Sequence, residues 1–240
     1  MKKSLLYPLL AVVVLLTAAC GSQAGENAPP EGSAASPTPT PRAQVAENSS
    51  GPRVLFFGDS ITAGFGLRED QAFPALLDNR LDSLGIEAEL VNAGLSGETT
   101  AAGLRRIDWV LQNHVDVLVL GLGGNDALRG VDLSSTRENL QGIVDKTRAS
   151  NPEAVVVVAG MMIPPNFGPD YAREFAELFP ELAQNNDAIL IPFILDGVGG
   201  FDEYMLPDQI HPNEAGHRKV ADLVEPYLLE ALERVPQQAS

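Results

Sequence analysis

From Arg53 onward the chain alternates two hydrophobic textures. Short apolar runs recur at 53–57 (Arg53-Val54-Leu55-Phe56-Phe57), Ile86–Ala93, Val115–Leu122, Ala154–Ala159 and Ala188–Leu195. Val115–Leu122 and Ala154–Ala159 are nearly unbroken, as expected of parallel strands buried on both faces. Between the runs lie segments of helical period. In Gln71–Leu84, Phe73, Leu76, Leu77, Leu81 and Leu84 fall near one face at i, i+3, i+4 spacing. Comparable segments are Thr99–Gln112, Thr136–Ser150, Asp170–Gln184 and Asn213–Leu232. Strand–helix alternation over about 180 residues predicts one doubly wound α/β domain, residues 53–232. A strand order of 2-1-3-4-5 is the leading option, although periodicity does not fix order.

The first 52 residues have a different texture. Lys2 and Lys3 precede an apolar stretch from Leu5 to Leu16, interrupted by Pro8, and Thr17-Ala18-Ala19 leads to Cys20. The stretch is shorter than the roughly 20 residues that span a bilayer. It reads as a signal peptide over residues 1–19. It resembles a bacterial lipoprotein signal, which implies that Cys20 becomes a lipid-carrying first residue. Thr17 departs from the Leu, Val or Ile usual three places before that cysteine. The alternative is ordinary secretion with a free Cys20, and the position of the chain's one cysteine at this boundary favours lipidation. Residues 20–52 are rich in Pro, Ser, Ala and Gly, with Val45 the only large aliphatic residue. Such a segment cannot bury enough apolar area to offset chain entropy, and is expected to be a disordered tether. As a coil it would reach on the order of 30 Å. Residues 233–240 form a short C-terminal tail. Together these features imply an exported, membrane-anchored protein of the periplasm or cell envelope.

Composition narrows the partners. Of 240 residues 45% are hydrophobic, enough for a sizeable core, and the formal net charge is −16. A surface this acidic repels phosphate backbones and anionic headgroups, so no nucleic acid is expected as a partner. A lone cysteine leaves no intramolecular disulfide.

Ligands of open α/β sheets bind at the carboxyl ends of the strands, so those ends carry the chemistry to be weighed. Gly58-Asp59-Ser60 follows the first run and Asn92-Ala93-Gly94-Leu95-Ser96-Gly97-Glu98 the second. Gly121-Leu122-Gly123-Gly124-Asn125-Asp126 follows the third, and Asp208-Gln209-Ile210-His211-Pro212-Asn213 precedes the last helix. Acyl transfer needs a nucleophile, a base, a group orienting the base, and an oxyanion hole, and these places offer each once. Pro212 suits the first position of a helix, which would put His211 at a helix N-terminus, where the dipole disfavours imidazolium. Asp208 pulls the other way and can hold the Nδ1–H tautomer. Gly94 leaves its N–H open to a substrate carbonyl, and Asn125 can donate without carrying charge. Asp59 and Asp126 read as caps or loop braces. Ser96 is a poor rival nucleophile, since no Gly-x-Ser-x-Gly elbow surrounds it. No His-Glu-x-x-His or cysteine cluster spells a metal site. His217 is expected on the exposed side of the last helix, and His114 at the entrance to the third strand.

Gly58-Asp59-Ser60, Gly94, Gly123-Gly124-Asn125-Asp126 and Asp208-x-x-His211 match, in order, the blocks of the SGNH (GDSL-type) hydrolases. Asn92–Thr100, Gly123–Gly130 and Ile210–Asn213 are similar to stretches of the thioesterase I/lysophospholipase L1/arylesterase branch. The resemblance covers 53–232. It implies a three-layer α/β/α flavodoxin-like domain with a five-stranded parallel sheet, and no metal or cofactor. It also implies Ser60 as nucleophile, His211 as base and Asp208 as its partner. Ser60 N–H, Gly94 N–H and the Asn125 side chain would be the oxyanion donors.

Substrate preference falls to two loops. Met161, Ile163 and Phe167 follow the fourth strand, and Tyr204 and Met205 precede the Asp-His block. Adaptable Met and apolar Ile and Phe suit an acyl or aryl pocket. The resemblance suggests aryl esters, short to medium acyl esters, thioesters and lysophospholipids. The alternatives are a carbohydrate or cell-envelope O-acetylesterase, and a non-catalytic ligand-binding lipoprotein.

Overall fold

The computed structural model describes residues 51–163 and 165–236. The signal segment, Cys20, most of the tether and the last four residues lie outside the described residues.

The chain runs β1 (Arg53–Gly58), α1 (Ser60–Ala63), α2 (Phe73–Leu84), β2 (Glu89–Asn92), α3 (Thr100–Val110) and β3 (Val117–Gly121). It continues through α4 (Gly124–Leu128), α5 (Leu133–Ser150), β4 (Val155–Ala159), α6 (Pro169–Asn185), β5 (Ile189–Ile191) and α7 (Glu214–Arg234). The strands form one parallel sheet in the order β2-β1-β3-β4-β5. Right-handed crossovers then dictate the layers. The chain steps from β1 to β2 in one direction and from β2 through β5 in the other. Accordingly α2 packs with α7, and α3 packs with α5 and α5 with α6, in separate layers. The central strands β1 and β3 are apolar along their length because both faces are covered, and Val54, Phe56, Phe57, Val117 and Leu118 are fully buried. Phe56 meets Phe73 of α2 edge to face, with ring centroids 5.6 Å apart.

Two of the apolar runs yield shorter strands than their length suggests. Ile86–Ala88 is irregular chain leaving the left-handed cap Gly85 (φ 69°) of α2, and only Glu89–Asn92 pairs. β5 stops at Ile191 because Pro192 follows, and a proline offers no N–H to continue a ladder. Phe193, Ile194 and Leu195 instead turn away over the carboxyl edge of the sheet, with Ile194 N–H donating to Gly160 O at 2.9 Å.

His217 corrects an expectation. It lies inside, not on the exposed side of the last helix, at 0% exposure. Phe73 N–H donates to its Nδ1 at 3.1 Å, and the rings of Phe73 and His217 stack with centroids 6.1 Å apart. The proton therefore sits on Nε2, which has no partner among the described residues. Burial pushes the imidazole pKa down to about 4, helped by the charge of His211. In the unfolded chain the same ring takes a proton near the ordinary histidine value. The folded state thus binds fewer protons between about pH 6.5 and 4, so stability is held above this window and lost as pH falls through it. We expect His217→Gln, which keeps an acceptor for Phe73 N–H, to remove up to about 3 kcal/mol of that acid sensitivity. Thermal unfolding at pH 7 and pH 4.5 checks it, and an unchanged difference in Tm between the two would contradict the assignment.

Candidate active site

The order in which strands are added reverses between β1 and β3, and the carboxyl ends of these two neighbours open a crevice between diverging loops. Ser60 stands there, in the first position of α1. Asp59 caps that helix by accepting from Ile61 N–H at 3.0 Å, while Asp59 N–H donates to Gly121 O of β3 at 3.2 Å. The nucleophile candidate is thereby pinned to both central strands. Its own N–H has no partner among the described residues.

The chain from β5 to α7 brings the base to it. Ser60 Oγ lies 2.9 Å from His211 Nε2, and His211 Nδ1 lies 2.7 Å from Asp208 Oδ2. Asp208 Oδ1 also accepts from the backbone N–H groups of Ile210 (2.9 Å) and His211 (3.0 Å). These bonds, the one from the His211 ring first, pull the Asp208 carboxyl down to about 2, so it is ionised at any working pH. Gln209 makes the turn possible by adopting φ +58°, an uncommon conformation for a residue with a side chain. Leu206 N–H closes the turn onto His211 O at 2.7 Å. Helix α7 starts later than Pro212 suggests. Asn213 is its cap, accepting from Gly216 N–H at 3.0 Å, so His211 lies outside the first turn and the helix dipole bears on it less than expected. The Phe65 ring covers His211, centroids 4.4 Å apart, and nothing in the motifs points to it.

Asn125 faces the same crevice from the first turn of α4, after Gly123 in a conformation (φ +128°) that favours glycine. Its Nδ2 donates to Asp59 Oδ2 at 3.4 Å. Gly94 is placed differently from the expectation. Its N–H donates to Asn92 Oδ1 at 3.0 Å, while Asn92 Nδ2 donates to Thr62 O at 3.0 Å. A Cβ at Gly94 would lie 2.3 Å from Ala63 N, so glycine is demanded here by the close backbone of α1 rather than by a substrate.

Both loops are braced from below. Arg106 donates from Nε to Glu98 Oε1 at 2.7 Å and from a terminal nitrogen to Ala93 O at 2.8 Å, with its guanidinium 4.3 Å from the centre of the Phe57 ring. Asp126 accepts from Thr100 N–H at 2.8 Å and Thr100 Oγ1–H at 2.6 Å, capping α3 and tying it to the loop of Asn125.

A cleft of about 630 Å³ opens beside Ser60, His211 and Asn125. Met161, Ile163, Phe167 and Met205 line it, together with Leu128, Phe193, Ile194, Leu195 and Ile210. Tyr204 does not. Its ring packs under Lys219 Nζ, 4.7 Å from the centroid, and beside Phe201. The segment Phe193–Leu195 is hidden within an apparent strand, and Pro192 with Gly197, Gly199 and Gly200 is the signal that it leaves the sheet. Most of the exposed large apolar side chains gather at this edge: Phe65, Leu95, Leu128, Met162, Phe167, Phe201 and Ile210, with Leu84 and Trp109 elsewhere. Chemically, the relay can take the Ser60 proton onto His211 while Asp208 steadies the resulting cation, next to amide donors and an apolar wall.

Comparison with known proteins agrees with this geometry. Residues 56–219 match the GDSL-like Lipase/Acylhydrolase family. Esterase TesA of Pseudomonas aeruginosa is 37% identical over 185 residues, covering 77% of this chain and 91% of the relative. Thioesterase 1/protease 1/lysophospholipase L1 of Escherichia coli is 35% identical over 170 residues, covering 70% of this chain and 79% of the relative. Among solved structures, the psychrotrophic esterase EstA from Pseudoalteromonas, in a form inhibited by monoethylphosphonate, superposes with a TM-score of 0.72. It is 30% identical and the match covers 75% of this chain and 98% of that one.

The brace under Gly94 is testable apart from any reaction. Arg106→Met keeps an apolar stem over Phe57 but leaves the buried Glu98 carboxylate without its cation. We expect a loss of about 3–5 kcal/mol. Glu98→Gln added to it should restore part of the loss, read by urea unfolding.

Proposed function

The chain belongs to the GDSL-like lipase/acylhydrolase family, and we propose that it is a serine esterase acting through Ser60, His211 and Asp208. The observation that carries this reading is the unbroken relay at the cleft wall, Ser60 Oγ to His211 Nε2 at 2.9 Å and His211 Nδ1 to Asp208 at 2.7 Å. In the first step Ser60 Oγ attacks the ester carbonyl as its proton passes to His211. The tetrahedral oxyanion is held by Ser60 N–H and the Asn125 side chain. Gly94 N–H joins them once it leaves the Asn92 carbonyl. The alcohol departs with the proton from His211, and water, activated by the same ring, releases the acid from the acyl-enzyme. No metal or cofactor enters these steps.

The apolar lining supports a substrate with a hydrocarbon acyl or aryl group: aryl esters and short to medium acyl esters, then lysophospholipids and thioesters. Met161 and Met205 are buried in the wall and adapt to chain length. An O-acetylated carbohydrate would leave most of this wall unused, and a non-catalytic lipoprotein has no need of the relay. The signal-like first 19 residues and Cys20 support export and a lipid anchor, which would hold the domain at an envelope membrane by its Pro-rich tether.

Ser60→Ala is expected to abolish both aryl-ester hydrolysis and labelling by a fluorophosphonate probe, and Asn125→Ala to lower kcat by about 10²-fold. Activity of the wild type should fall on acidification, because a general base works only unprotonated, while Asp208 stays ionised. Full activity in Ser60→Ala, or a rate flat from about pH 5 to 9, would sink the mechanism. Acyl-chain profiling of the purified protein then fixes the preferred ester. For the anchor, Cys20→Ser should release the protein from the membrane fraction into the soluble one, and unchanged partitioning would refute lipidation.

A further inference from the structure

Asp59 is more costly than its capping role requires. It is 3% exposed, and burial raises its carboxyl to about 6, against smaller opposing effects of Ile61 N–H and the charge of His211. An Asn or Ser would cap α1 as well without burying a charge. What a neutral cap would not supply is a group that only accepts. Asp59 Oδ2 lies 3.4 Å from Asn125 Nδ2. The space is tight: a Cβ on Gly124 would come within 3.3 Å of the same oxygen.

The Asn125 amide has a donor face and an acceptor face of nearly equal size, and only the donor face can hold an oxyanion. We propose that Asp59 is a positioning residue whose carboxylate, anchored by Ile61 N–H, accepts one Asn125 amide hydrogen and so directs the other toward the oxyanion formed on Ser60. This rests on the esterase reading of the site. With Asn at 59 and its carbonyl kept on Ile61 N–H, its NH₂ would face Asn125 and favour the reversed amide. Protonation of Asp59 has the same consequence, because its O–H can donate to the Asn125 carbonyl. The charged groups that bear on it are His211 and Glu98, the latter paired with Arg106.

Stability and activity should therefore separate. The folded carboxyl binds its proton more tightly than the unfolded one, so Asp59 costs stability as pH rises through the window from about 4 to 6. Asp59→Asn removes that cost. At pH 8 we expect Asp59→Asn to melt no lower than wild type, to lose about 10- to 100-fold in kcat on a soluble aryl ester, and to keep KM within about twofold. In an Asn125→Ala background the same substitution should cost nothing further. The acid limb of Asp59→Asn should be one proton less steep than that of wild type, since position 59 no longer carries a titrating carboxyl. Asp59→Ser, also a cap, should match it. Wild-type kcat in Asp59→Asn would leave Asp59 a cap, kcat and Tm lost together would make it a fold element, and an undiminished loss in the Asn125→Ala background would place its effect elsewhere; each overturns the inference. A wild type without Ser60-dependent hydrolysis overturns the esterase reading instead.

Discussion

The hydrogen bond between Ser60 and His211 joins residues 151 positions apart, and the fold exists in a form that allows it. Ser60 is delivered by β1 at the centre of the sheet, and His211 by the connection from the edge strand β5 to α7. Because the chain leaves β1 in one direction and β3 in the other, the loops above them diverge and leave the crevice empty of backbone. The returning segment 193–211 fills one side of that crevice with Phe193, Ile194 and Met205 before presenting the imidazole. The bridge of Met205 to Pro212 and the bond from Asn213 N–H to Tyr204 O, 2.8 Å, hold this segment against the start of α7. The reach of the relay is thus a property of sheet topology, and its precision a property of one short turn.

Much of this arrangement is legible in the chain, and the failures have identifiable causes. Strands buried on both faces announce themselves as unbroken apolar runs, and the long helices by their period. The turn blocks show because Gly, Asp, Asn and Pro cluster where backbone must bend. The polarity of His217 points to solvent, but its place in the helical period does not: it falls on the stripe with Val220, Ala221, Val224, Leu228 and Ala231, all buried. Tyr204 and Met205 look equivalent in sequence, yet Tyr204 ends a short 3-10 turn with its ring beside Lys219 and Phe201, and only Met205, which leaves that turn, faces the cleft. The end of β5 is hard to see because Phe193-Ile194-Leu195 satisfies any apolar pattern, and only Pro192 and the glycines at 197, 199 and 200 mark the exit. Gly94 is glycine because the backbone of α1 lies against it, and its N–H is taken by the Asn92 side chain instead of standing open. A glycine looks the same in sequence whether it clears space for a ligand or for another backbone.

Identical side chains take opposite duties here according to what surrounds them. Asp208 sits at the rim with two backbone donors and the imidazole on it, and that company keeps it charged and able to support a cation. Asp59, immediately before Ser60, has one backbone donor and one amide hydrogen and is only 3% exposed. A carboxylate in that second setting weakens the fold, and it also sits close to where negative charge must develop during acyl transfer.

Three buried carboxylates lie beneath the crevice, and their company differs in kind. Glu98 has the Arg106 guanidinium, and Asp126 has the N–H and hydroxyl of Thr100. Each of these locks one loop to the start or body of α3 and is satisfied within the scaffold. Asp59 alone spends a bond on a residue of the crevice wall. Removing Glu98 or Asp126 would loosen the platform on which Gly94 and Asn125 ride. Removing the charge of Asp59 would leave that platform standing and alter only which face of one amide looks into the cleft. A scaffold under pressure for stability alone would have no reason to keep the third carboxylate, and its place against Asn125 is the reason the geometry offers.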